Sequence, residues 1–157
     1  MKYVQRTKYY NIIAPLWALY YFPPIILFAM IINFIIDAFL IICTLKIFKV
    51  SIINKYVFRY ISISFIFGFF IDFIAALSLY LACDLFNINA MNAFESTKSI
   101  IVYLFIIIIT GGLIFIFNYL LSKKYLNLEK IIAISLGAVM GILTAPWFFL
   151  IKTNINY

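Results

Sequence analysis

Histidine is missing from this 157-residue chain, and acidic residues are scarce, five against twelve Lys and Arg. Without imidazole, the common zinc sites and the histidine-based arrangements of nucleophilic and acid–base catalysis are excluded. The two cysteines, Cys43 and Cys83, stand in separate apolar runs whose hairpin would carry them toward opposite membrane faces. No disulfide is expected between them, and neither has ligand spacing, so both read as small core filler. Charge is thin as well: 11% of residues carry one, whereas a soluble domain holds about 25%.

What replaces charge is apolar surface, which makes up 68% of the chain. A water-soluble core of this size has no room for so many apolar side chains, and the surplus needs a solvent that accepts them. The bilayer is that solvent. A net charge of +7 invites a nucleic-acid reading. The basic residues, however, lie at the ends of apolar runs rather than among polar and aromatic groups, as membrane-flanking charges do. No nucleic-acid partner is expected.

A spanning helix needs about 20 apolar residues, because lipid cannot satisfy exposed backbone groups. Four stretches qualify: Pro24 to Leu45, Tyr60 to Cys83, Ile100 to Leu121 and Ile131 to Ile151. A fifth apolar run, Tyr9 to Phe22, is short, is interrupted by Pro15 and is rich in Tyr and Trp. It suits an interfacial or re-entrant position, or a short broken crossing. Lys2, Arg6 and Lys8 ahead of it resemble the start of a signal peptide, but no small-residue cleavage site follows, and the segment is expected to be retained. The fold class expected is an all-α integral membrane protein: a bundle of four transmembrane helices plus this N-terminal segment. No repeat period, linker or low-complexity tract divides it, so residues 1–157 read as one polytopic domain.

Lysine and arginine set the orientation. Lys46, Lys49, Lys55 and Arg59 fill the first connection between spans and Lys123, Lys124 and Lys130 the third, so both are expected to face the cytoplasm. The second connection, with Asp84, Glu95 and one Lys98, would face outward. If Tyr9 to Phe22 crosses, ten of the twelve basic residues lie inside. Charge thus favours a cytoplasmic N-terminus while segment length opposes it.

Small and polar residues recur at helical spacing within the spans. The last span carries Ala133, Gly137, Gly141 and Ala145; the second carries Ser64, Gly68, Asp72 and Ala76; the first carries Ala29, Asn33, Asp37 and Thr44; and the third carries Gly111, Asn118 and Ser122. Such stripes let helices approach closely, so Gly68, Gly111, Gly137 and Gly141 are assigned to helix packing. Packing within the chain is preferred to self-association through Gly137 and Gly141.

Asp37 and Asp72 are the sharpest features, since a carboxylate at membrane depth faces protein or water and needs a compensating charge. Asp37 stands nine residues from Lys46 and Asp72 thirteen from Arg59, so their depths differ by about 6 Å at ~1.5 Å per residue. They can meet across the first hairpin, sharing a proton or holding a cation. Asn33, Asn118 and Thr110 are expected to complete an oxygen-rich proton or cation site. The plainer alternative is that both aspartates serve packing alone.

Paired aspartates also fit an intramembrane aspartyl protease, but the Asn-x-Ile-Asp-Arg and Asn-x-x-Asp elements of the lipoprotein signal peptidase family are not here. Asp37 is followed by Ala38, Asp72 by Phe73, and both lie in the first half of the chain. Neither an enzyme nor a cofactor is expected. Two functions are carried forward. The first is an accessory or assembly subunit of the cytoplasmic membrane, working through helix packing with a membrane partner or a second copy. The alternative is a small ion- or proton-coupled carrier using Asp37 and Asp72.

Overall fold

Residues 25–50, 54–90 and 92–151 are described in the computed structural model of the chain. The Tyr9 to Phe22 run and the basic residues Lys2, Arg6 and Lys8 lie outside them. The described chain is helical: α1 (Ile25–Ile47), α2 (Asn54–Phe86), α3 (Thr97–Tyr125), α4 (Lys130–Leu143) and a short 3₁₀ helix, η1 (Trp147–Leu150). No strand occurs among the described residues. Four segments are long and apolar enough to cross a membrane, the fourth being α4 taken together with η1. The protein is an all-α membrane protein with four such helices.

Each helix is apolar on nearly every face, so it closes its own backbone hydrogen bonds and exposes side chains to lipid. Leu27, Phe28, Ile31 and Ile35 on α1 and Ile101, Phe105 and Ile108 on α3 are exposed accordingly. Helices α2 and α3 outrun their apolar stretches, at 33 and 29 residues, and carry polar ends past the hydrocarbon. Local chemistry stops them. At the end of α1, Lys49 takes a left-handed conformation (φ 54°), and the amide of Val50 donates to the carbonyl of Leu45 at 3.0 Å. Asn87 (φ 51°) ends α2 in the same way, with the Ile88 amide donating to Cys83. Ser96 opens α3 by accepting from the amide of Ser99 at 3.1 Å.

The helices alternate in direction and close a ring in which α1 touches α2 and α4, and α3 lies between α2 and α4. This places both lysine-rich connections at one end. There Ile41, Leu45, Tyr60, Ile61, Leu121 and Leu136 form one apolar cluster, and the Arg59 guanidinium lies 5.1 Å from the centre of the Tyr125 ring. A second cluster at the other end joins Ala76, Leu79, Cys83, Tyr103, Ile107 and Phe149. Helix α1 contributes buried residues to the first cluster only.

The last span departs from expectation. It does not run unbroken to Ile151: α4 stops at Leu143, and Thr144, Ala145 and Pro146 lead into η1. Proline disfavours helix in the residue before it, and the Thr144 hydroxyl donates back to the Met140 carbonyl at 2.7 Å. The break therefore falls inside the fourth candidate span, Lys130–Leu150. At about 1.5 Å per residue, the 14 residues of α4 reach only ~21 Å, short of a ~30 Å hydrocarbon layer.

Candidate functional site

Along α2, Tyr60, Ser64, Gly68, Asp72 and Ala76 follow one another at every fourth residue and share one face. Turned into the bundle, this face meets different partners at different heights. Nearest the basic end, the Tyr60 hydroxyl donates to Asn118 Oδ1 at 2.7 Å and the Ser64 hydroxyl to the same oxygen at 2.6 Å. The Asn118 amide in turn donates to the Ile114 carbonyl at 3.0 Å. All three side chains are buried, and the network bolts α2 to α3.

One to two turns further along, at Gly68 and Asp72, the face opens into a cavity of about 140 Å³. Asn33 and Asp37 of α1, Gly68 and Asp72 of α2, Ile114 of α3 and the Leu143–Thr144–Ala145 end of α4 line it. The cavity thus sits where α4 breaks, and irregular backbone at membrane depth is tolerated where it is buried in protein or lines such a space. Phe34 and Phe65, edge to face at 5.4 Å, brace α1 against α2 beside it.

Both carboxylates are buried, Asp37 at 8% exposure and Asp72 at 6%. Among the described residues, no basic side chain lines the cavity. Asp72 Oδ1 accepts no hydrogen bond from any described group, which makes it the one orphaned buried side-chain polar atom among the described residues. Such an atom costs about 1–3 kcal/mol when left unsatisfied. The carboxyl end of α4, which carries partial negative charge, abuts the same space. The two carboxylates and this helix end all favour positive charge in the cavity.

Three of the residues singled out from sequence, Asn33, Asp37 and Asp72, line this cavity together. Asn118 does not line it: its side-chain oxygen accepts from Tyr60 and Ser64, and its amide nitrogen donates to the Ile114 carbonyl. Thr110 is also elsewhere, donating to the Ile106 carbonyl at 2.7 Å and facing a groove between α2 and α3. Sequence reasoning did not place Thr144 at the cavity. Its only signal was proximity to Pro146, which predicts a local break without saying what the break faces.

The packing glycines divide similarly. A methyl group built on Gly141 would stand 2.6 Å from the Gly111 carbonyl oxygen, and one on Gly137 would stand 2.9 Å from that of Phe115. Gly111, Gly137 and Gly141 therefore form the α3–α4 seam. Gly68 is not a packing glycine: a methyl group there meets nothing within 4 Å, because it projects toward the cavity rather than a neighbouring backbone. In the connection between α2 and α3, Asn87 and Asn92 serve the backbone. Asn87 caps α2, and Asn92 Oδ1 accepts from the Phe94 amide at 3.1 Å.

No protein-family model, no curated protein and no solved structure matches this chain.

Proposed function

We propose that this protein is a small ion- or proton-coupled carrier of the cytoplasmic membrane, in which Asp37 and Asp72 hold the coupling charge. The observation that carries the reading is the shared cavity: two buried carboxylates, one with an orphaned oxygen, face the broken end of α4, and no basic side chain among the described residues lines the space beside them. A pair serving packing alone would be expected to spend its oxygens on neighbouring helices, as Asn118 does. Binding and release of a cation or proton changes the charge of the site, and a span interrupted at the same height offers a place where that change alters backbone geometry. In this reading the lysine-rich connections face the cytoplasm.

The test is flux in proteoliposomes under an imposed proton or sodium gradient, comparing the wild type with Asp37→Asn and Asp72→Asn. The wild type should dissipate the gradient and both variants should fall to the leak of empty vesicles, while all three elute alike on size exclusion in detergent. Equal flux in all three proteins ends the proposal.

A second reading, the accessory or assembly subunit, draws on the bare outer half of α1. There Leu27, Phe28, Ile31 and Ile35 are exposed, an apolar face that a partner helix can cover. It predicts a stoichiometric partner in a mild-detergent pull-down and undiminished activity of that complex with either aspartate replaced.

A further inference from the structure

We infer that the cavity between α1, α2 and the end of α4 binds a hard metal cation, of the alkali or alkaline-earth class, together with water, and that Gly68 keeps open the space this water needs. The inference rests on the proposed site and goes beyond it in naming the ligand and the residue that sizes it.

The donors decide the class. Around the cavity stand the carboxylates of Asp37 and Asp72, the amide of Asn33 and the hydroxyl of Thr144, whose proton is given to Met140 so that its lone pairs remain. Beside them is the end of α4, where the Thr144 amide and hydroxyl take the Met140 carbonyl and the Trp147 indole takes that of Ile142, so the ligands counted here are side-chain groups. All are oxygens. Neither sulfur nor imidazole lines the space, since Cys43 and Cys83 lie elsewhere and histidine does not occur. An all-oxygen set suits sodium, magnesium or calcium and disfavours zinc or copper.

Volume argues for a metal rather than protons alone. A water molecule needs about 10–15 Å³ of this kind of space, so a cavity of about 140 Å³ accommodates a cation with several waters. Two carboxyls sharing a proton need only each other. Gly68 is one turn from Asp72, and its missing side chain is part of that room. Glycine inside a helix is less favourable than alanine, and here no close backbone approach requires it. What alanine or leucine would fill at this position is the cavity.

The experiment is labelling of the purified protein in detergent with a hydrophobic carbodiimide. A protonated carboxyl adds across one of the reagent's C=N bonds, oxygen to carbon and proton to nitrogen, to give an O-acylisourea that rearranges by an O-to-N acyl shift to a stable N-acylurea, located by peptide mass. Labelling is run in choline chloride and again with Na⁺, K⁺, Mg²⁺ or Ca²⁺ at equal ionic strength. At Asp37 or Asp72 the rate should fall about tenfold or more in at least one metal salt, and the identity of that salt separates the alkali from the alkaline-earth case. Gly68→Leu should lose the metal protection, whereas Gly68→Ala should weaken it while raising thermal stability, opposite signs that a purely structural glycine would not give. Labelling that no metal slows overturns the inference and leaves a proton site standing. Protection undiminished in Gly68→Leu removes the role of Gly68. Absence of label from both aspartates in every salt overturns the inference together with the site beneath it.

Discussion

Between α3 and α4 the backbones meet at glycine, whereas between α1 and α2 they stand apart around two carboxylates. In the most apolar stretch of α1, 11% of residues are buried, against 39% in that of the last span, α4 with η1. Lipid is as apolar as leucine, so helices in a membrane gain little from burying one against another and associate through close packing and polar contacts. The α3–α4 seam uses the first of these means, the Tyr60–Ser64–Asn118 network uses the second, and α1 has little of either. A rigid half thus faces a looser one, and the carboxylates lie where the two meet.

The largest effect should come from the seam. Gly141→Leu drives a side chain into the Gly111 carbonyl and should destabilise the bundle by about 3 kcal/mol or more, read by denaturant unfolding in micelles. Gly68→Leu, the same change on the loose side, should cost far less. Equal losses would mean that the two sides do not differ in packing.

An intermediate effect is expected at the polar bolt. Asn118→Ala removes the acceptor for two buried hydroxyls and should cost about 1–3 kcal/mol in the same assay. Flux through the cavity should survive in the folded fraction, because Asn118 does not line it. The smallest effect belongs to the surface: Arg59→Gln removes one of the two cations over the Tyr125 ring, Lys124 being the other, and should cost no more than about 1 kcal/mol. A larger loss there would make the basic end, rather than the glycine seam, the anchor of the bundle.

Much of this site was legible because α-helical spacing is regular. Asp37 and Asp72 could be set at similar depth by counting from Lys46 and Arg59, and the stripe from Ser64 to Ala76 is plain at every fourth residue. Counting does not say which stripes meet. Asn118 looked like a site residue because an amide at membrane depth needs partners, but whether those partners are a ligand or two hydroxyls depends on how α3 is rotated against α2. Gly68 and Gly141 likewise look alike in the sequence. One faces a cavity and the other a carbonyl oxygen at 2.6 Å from its would-be methyl group.

Composition and the lengths of the apolar runs by themselves determined that this chain is a helical membrane protein with four candidate spans, because backbone groups in hydrocarbon must bond within their own helix. Only the tertiary structure decided where α4 breaks relative to the carboxylates, which glycines touch backbone and which polar groups answer one another. Those depend on helix rotation and depth across the bundle, contacts between residues far apart in the chain that no local pattern encodes.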